Sequence, residues 1–588
     1  MYILGISSFD HDSAATILRD GEIIAAAQEE RFSRKKNDSS FPENSIDFCL
    51  EYTNIKIDNV DAIAFYESSS EIIKDKFPGE KIHFVKHNFA HAASAFFPSP
   101  FEKAAVITLD GEGDGISQST FFADCPSIRG GFDNQPKMRA PCMQELTEHP
   151  FPHSIGYLYS AFTQFLGFRV GFGEYKVMGL APYGKPKFVN LIFEHLVNLN
   201  NDGSFTLNME YFDFSGKNLL TTEKFYKLFD GLPRDPDNEL SQFNADIAGS
   251  IQTAAEIIIL KVADHAYKIT KCENLCLAGG VALNCVANGK LLNESKFKSI
   301  WVQPAAGDAG GAIGAALFVY HEVLNNERKS DGTTDKMKGA LLGPDFSENY
   351  IKKFIDKNKI TAKRFDDNTL SEKIAELIDK QKIIGLFRGR MEFGPRALGN
   401  RSILADARSS KMQTILNKKI KCRESFRPFA PACLSERAGE YFESGISSPY
   451  MLFVTRIKEK LRIPRNNDEQ KFERRVCKIR SPFPAITHID YSARVQTVDK
   501  KTNPFFYKVI KAFDERTGCG MVINTSFNFR DEPIVCTPED AYRCFLRTGI
   551  DFLVLGNYLI SRDLPQMNPP SAEKLTDDLS GATHRHSK

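Results

Sequence analysis

Apolar and polar positions fall into blocks that predict an α/β chain. YILGIS at 2–7 is an apolar run and predicts a buried strand, and ATIL at 15–18 predicts a second. Arg19-Asp20-Gly21 turns the chain into EIIAAAQEE, the next strand. Ala104 to Leu109 is another buried run, and it ends in an acid, Asp110. NLCLA before Gly279-Gly280, KIIGLF at 382–387, THIDYSARVQTV at 487–498 and GMVINTSFN at 520–528 read as further strands. Helical spacing marks the alanine-rich run after His87, the amphipathic HSIGYLYSAFTQFLGF and residues 240–270. TPEDAYRCF opens a helix with Thr537 as cap, Pro538 at the first position and acids in the first turn.

The pattern lapses three times. NNERKSDGTTDKMKG at 325–339 is polar and aperiodic, so a boundary is placed near 345. Residues 456–480 read as a charged loop, and the tail from 566 to 588 reads as disordered. The expected domains are therefore 1–345 and 346–565.

Composition adds few constraints. The chain has 588 residues, 42% of them apolar, enough for two cores. A formal net charge of +1 argues against broad electrostatic capture of nucleic acid. No apolar run is long enough to span a membrane and no signal peptide is evident, so a cytoplasmic location is expected. The 12 cysteines form no CxxC pair and read as free thiols.

Chemistry concentrates in a few places. His87 and His91 are one helical turn apart, so both imidazoles face one side. Asp110 follows at the end of its strand, and Asp308 sits in a small-residue loop before a helix, where it could also be an N-cap. Two histidines and two carboxylates suit iron(II) or manganese, with another divalent metal open and zinc less natural. Gly111, Gly113 and Gly115 offer backbone N–H groups that could cradle phosphate. Gly279 and Gly280 permit close backbone approach to a ring or ribose, and Asn284, one helical turn inside, could bond a nucleotide. Lys176 is either a phosphate partner or a surface lysine. His11, oriented by Asp12, is either a turn residue or a general base for a hydroxyl. The basic run RFSRKK at 31–36 reads as a solvated face. From Arg388 to Arg427 there are seven arginines and four lysines, interleaved with Phe393, Leu398 and Phe426. That density suggests a folded pocket for a compact anion.

The opening strand–turn–strand is similar to that of the actin-like ATPases. More broadly, HDSAA, HNFAHAASAFF, LDGEGDG, EYKVMGLAPYG, LAGGVALN, GDAGGAIGAAL, FGPRALGNRSILAD, KCRESFRPFAP, THIDYSARVQTV and NTSFN occur in one order from residue 11 to 528. In these segments the sequence resembles the NodU/CmcH-type O-carbamoyltransferases, which modify nodulation factors, antibiotics and other natural products. The resemblance implies an actin-like N-terminal domain, similar to the tRNA threonylcarbamoyltransferases, and a YrdC-like α/β C-terminal domain.

By the same resemblance, His87, His91, Asp110 and Asp308 would hold iron beside ATP. Gly280, Asn284 and Lys176 would line a carbamoyl-adenylate, and His11 would deprotonate an acceptor hydroxyl. Lys421, Arg423, Ser526 and Asn528 match the YrdC pattern, and Arg388, Arg396 and Arg494 would add to a carbamoyl phosphate site. Departures from the family lie in the insert around 460–480 and in NFRDEP, beside the second pocket. The expected partner is a small-molecule hydroxyl acceptor, with neither nucleic acid nor membrane, and a homodimer is left open. Rival expectations are a tRNA threonylcarbamoyl-type enzyme and an actin-like ATPase.

Overall fold

The first apolar runs form one sheet and the run ending at Asp110 starts another. The computed structural model describes residues 1–9, 11–67, 71–77, 82–125, 141–215, 219–464, 475 and 478–563. The first sheet contains β1 (Tyr2–Ser7), β2 (Ala14–Arg19), β3 (Glu22–Gln28), β4 (Ala62–Tyr66) and β5 (Ile82–Val85), in the order β3-β2-β1-β4-β5. β1 is antiparallel to β2 and parallel to β4, and β4 is parallel to β5. The second sheet contains β6 (Lys103–Gly113), β7 (Ile116–Asp124) and β8 (Met143–Pro150). After the small hairpin of β9 (Val197–Leu199) and β10 (Phe205–Leu207), it is completed by β11 (Asn274–Ala278) and β12 (Ser299–Val302), in the order β12-β11-β6-β7-β8.

The two sheets share one topology. In each, two more strands join parallel to the first strand, on the side away from the second and third. In each, the fifth strand leads into a helix: His87–Phe96 after β5 and Ala309–Phe318 after β12. This duplication is the actin-like architecture expected of the N-terminal half. The helices approach backbone to backbone at Gly314, where a Cβ would lie 1.8 Å from the Ala90 carbonyl oxygen. Apolar strands such as β4, buried at all five positions, anchor the layers.

The C-terminal part builds one mixed sheet. Its strands are β13 (Ala362–Arg364), β14 (Ile384–Phe387), β15 (Arg401–Ala405), β16 (Ala430–Leu434), β17 (Phe453–Arg456), β18 (Ser492–Val498), β19 (Met521–Ser526), β20 (Phe552–Leu555) and β21 (Tyr558–Ser561). Their order is β13-β21-β20-β14-β15-β19-β16-β18-β17. The Asp367–Asp379 and Pro504–Thr517 helices pack on one another and add Leu370, Ile374, Val509 and Phe513 to the core. The Pro538–Arg547 helix starts as its sequence predicts, in a capping box between Thr537 and Asp540.

Two compact units result. The first is Met1–Ser8, Ala14–Ile24 and Ile57–Lys336; the second is Phe9–Ser13, Ala25–Lys56 and Met337–Lys588. The second unit thus takes in early segments that a single cut near 345 assigns to the first. The basic run at 31–36 supplies the reason, and it is not simply a solvated face. Arg31 is buried, pairs with Glu30 at 2.8 Å and donates to the Gly394 carbonyl at 2.8 Å. Arg34 donates to the carbonyls of Pro533 and Ile534, each at 2.8 Å. Only Lys35 and Lys36 of the run are exposed.

The cysteines also differ from expectation in one place, where Cys125 and Cys142 form a disulfide. No helix among the described residues is long and apolar enough to cross a membrane. The 566–588 tail lies outside the described residues, as does most of the charged stretch from 465 to 477.

Candidate functional site

Helical spacing puts His87 and His91 on one face of the His87–Phe96 helix, with ring centroids 4.7 Å apart. The first turn of that helix is held by Asp114, whose carboxylate accepts the His87 N–H at 2.9 Å. Asp110 lies where β6 slips register between Leu109 and Gly113. Such an irregularity re-aims a side chain, and Asp110 Oδ2 lies 2.7 Å from His91 Nε2 and 3.5 Å from His87 Nε2. Asp308 Oδ1 comes within 3.5 Å of His91 Nε2. Although Asp308 stands at the N-cap of its helix, its side chain makes no capping bond. One donor atom from each of the four lies within 4.8 Å of the others.

Glycines make room for this arrangement. A Cβ on Gly113 would lie 2.1 Å from Cγ of His87, and one on Gly280 would lie 3.1 Å from Asp110 Oδ1. Gly279 adopts φ +89° and lets the chain pass the Leu109 carbonyl oxygen, which a Cβ would meet at 2.2 Å.

Charge follows from the geometry. Burial alone would lower the His91 pKa, but hydrogen bonds and charge from Asp110 and Asp308 outweigh it and raise it to about 9. Burial works against the Asp110 carboxylate too, yet the two imidazoles hold its pKa well below the usual range. The site is built to balance carboxylates with positive charge. Two imidazole nitrogens and two carboxylates so placed could hold a metal ion.

A fifth residue escaped the sequence reading. Tyr66, at the end of β4, is buried, and its hydroxyl lies 2.8 Å from Nε2 of both His87 and His91. It donates to Asp308 Oδ1 at 2.9 Å. Only its place as the last residue of an apolar strand could have drawn attention to it.

The glycines after Asp110 are not a flexible loop. β6 runs on to Gly113, and Asp114 and Gly115, both with positive φ, turn the chain into β7. The Gly111 N–H bonds Asp110 Oδ1 at 2.8 Å and the Gly115 N–H bonds Glu112 at 2.8 Å. Asn284 stands at an N-cap and not a turn inside. It accepts from the Ala287 N–H at 3.1 Å, and its amide exchanges bonds with Gln252. Lys176 is half-buried, its ammonium 5.5 Å from the centre of the Phe168 ring. His11 is half-exposed, with Asp12 3.5 Å away, in the segment that belongs to the second compact unit.

In that second unit Lys421 is buried. Its ammonium bonds Asn528 Oδ1 at 2.7 Å, Ser526 Oγ at 3.2 Å and the Ser526 carbonyl. Burial and the charges of Arg423 and Arg427 hold its pKa well below the usual lysine value. Lys421 therefore meets Ser526 and Asn528 from 105 and 107 positions away. Arg423 lies beside them, donating to Asn417 at 2.7 Å and stacking on Phe429.

The arginine-dense stretch as a whole is not one pocket. Arg388 is committed to Asp367 at 2.7 Å and to the Phe505 ring. Arg401 is fully buried against Phe387, donating to the carbonyls of Arg388, Gly389, Asn400 and Pro344. Arg408 pairs with Asp379 and Asp406. Arg396 is half-buried, and Arg494 is half-buried on β18 opposite Val454.

Comparison with known proteins gives consistent matches. The carbamoyltransferase N-terminus family model matches residues 2–78 and 71–317, and the carbamoyltransferase C-terminus model matches 375–562. The uncharacterized protein sll1178 of Synechocystis sp. is 46% identical over 95% of this chain and 97% of its own length. Nodulation protein NolNO of Sinorhizobium fredii is 36% identical over 95% of this chain and 80% of its own. Among solved structures, full-length HypF in its phosphate- and nucleotide-bound form aligns with 56% of each chain at 14% identity. Its TM-score of 0.35 is too low to assign a fold by itself.

Proposed function

This chain belongs to the carbamoyltransferase family and is a carbamoyltransferase; from that premise we propose that it makes carbamoyl-adenylate and passes the carbamoyl group to a hydroxyl of a small natural product. The observation that carries the reading is the convergence of His87, His91, Asp110 and Asp308 within 4.8 Å of one another in the actin-like half of such a chain.

The proposed chemistry has two stages. Water hydrolyses carbamoyl phosphate to carbamate and inorganic phosphate; a carbamate oxygen then attacks the α-phosphorus of ATP, so that pyrophosphate leaves and carbamoyl-adenylate forms. An acceptor hydroxyl then attacks the carbamoyl carbon, and AMP leaves.

The residues divide between the stages. In the YrdC-like C-terminal unit, Lys421, Arg423, Ser526 and Asn528 hold carbamoyl phosphate, with Arg396 and Arg494 adding charge. Arg388 is left out, since its guanidinium is already paired with Asp367. His87, His91, Asp110 and Asp308 hold an iron(II) or manganese ion. When bound, that ion supplies positive charge to phosphate oxygens. Gly111, Gly113, Gly279 and Gly280 make room for the nucleotide beside that ion, and Asn284 and Lys176 are assigned to binding it. His11, oriented by Asp12, takes the proton of the acceptor hydroxyl.

The test is transfer itself. The metal-loaded protein is given carbamoyl phosphate, ATP and a panel of sugars, aminoglycosides, macrolides and tRNA, and products are read by mass. A carbamate ester on a small-molecule hydroxyl supports the reading. A threonylcarbamoyl adduct on tRNA, formed when threonine, bicarbonate and ATP replace carbamoyl phosphate, with no carbamate ester in the first assay, favours the tRNA-modifying alternative.

A further inference from the structure

We propose that Tyr66 supplies a fifth donor, its phenol oxygen, to the metal held by His87, His91, Asp110 and Asp308; this rests on the metal centre proposed above. The first argument is distance. Two donors about 2.1 Å from a common ion and at right angles are about 3 Å apart. Among the four ligands, the imidazole–carboxylate separations run from 2.7 Å to 3.5 Å. The Tyr66 oxygen lies 2.8 Å, 2.8 Å and 2.9 Å from three of the same four donors. It stands among the ligands, not behind them.

The second argument is which atoms it meets. A residue that only orients a ligating histidine bonds the ring nitrogen facing away from the metal. Tyr66 meets Nε2 of both rings, the nitrogens that face the carboxylates. The third argument is the space made for it. A Cβ on Gly311, one turn into the helix after Asp308, would lie 2.5 Å from the Tyr66 ring. The helix that presents Asp308 therefore also admits the phenol.

Coordination number follows. Asp110 and Asp308 balance a divalent charge, so the phenol is a neutral donor to a divalent ion and ionises on ferric iron, whose third charge the phenolate balances. Five protein donors suit an octahedral ion better than tetrahedral zinc and leave one position for substrate.

The test adds ferric citrate to metal-free full-length protein and reads bound iron and visible absorption together. As the Fe–O bond forms, the phenol proton passes to solvent, and a phenolate-to-iron charge-transfer band appears. The expected result is iron with a visible band in the native protein, and iron without the band in Tyr66→Phe. Manganese affinity of that variant, read by competition with a chelator, falls as well; the band, and not the affinity, separates a ligand from an orienting residue, whose loss alone costs about ten- to hundredfold. A native protein that holds iron with no band, or a band that persists in Tyr66→Phe, overturns the role of Tyr66 and leaves the four-ligand centre standing. A native protein that takes up neither iron nor manganese removes the centre itself, and Tyr66 with it.

Discussion

Gly113 and His87 touch so closely that a single methyl group on the glycine would lie 2.1 Å from Cγ of the imidazole. Gly113 has no positive φ, so Gly113→Ala strains no backbone and acts through the displaced ring. The variant is expected to fold and to lose most of its bound metal, measured by elemental analysis after gel filtration. A variant with native metal content would contradict this packing.

His91 faces both acids within 3.5 Å. Removing it leaves Asp110 and Asp308 buried with less compensating charge. His91→Ala is expected to destabilise the metal-free protein by about 3–5 kcal/mol, read from urea midpoints. Substitution of both acids with asparagine in the same background should return part of that loss.

The site also sets a pH dependence. The His91 pKa is raised from 6.5 to about 9 in the fold. Its contribution to metal-free stability is thus fully present below pH 6.5 and is lost as pH rises through about 9. A metal needs the neutral imidazole, so affinity should climb with pH over the same window. Calorimetric titrations with manganese in buffers from pH 6 to 9 check the sign, and an affinity that falls with pH contradicts it.

Much of this was legible in the sequence, for physical reasons. His87 and His91 show the helical repeat directly, and the apolar run ending at Asp110 shows a strand end. Asp308 is 198 positions beyond Asp110, and its small-residue loop before a helix, together with the family resemblance, points to it. Tyr66 carried no such mark, because a tyrosine ending a buried strand looks like any core residue. The glycines after Asp110 lie in a strand that ends in the Asp114-Gly115 hairpin; glycine spacing alone does not separate a strand end from a loop. The basic run misled, because charge density along the chain does not tell whether a guanidinium meets water or a carbonyl. Arg31, Arg388 and Arg401 all met partners within the fold.

Arg31 makes that last point measurable. Arg31→Ala leaves Glu30 buried without its nearest cation and removes a bond to the Gly394 carbonyl. A loss of about 3–5 kcal/mol is expected by denaturant titration. Lys35→Ala, exposed in the same run, should stay within about 0.5 kcal/mol. Equal effects would return the run to a solvated face.

Lys421 separates the two proposed stages. Lys421→Met keeps the apolar stem and removes the ammonium that gathers Ser526 and Asn528. The variant should bind metal as the native protein does and lose about 100-fold in pyrophosphate release. A loss of metal binding would contradict the division of labour.

The most direct measurement follows nucleotide products of the metal-loaded protein given ATP, with and without carbamoyl phosphate and with no acceptor. The account predicts AMP and pyrophosphate only when carbamoyl phosphate is present. ADP and inorganic phosphate released equally with and without it would contradict adenylate formation and make the chain an actin-like ATPase in its chemistry.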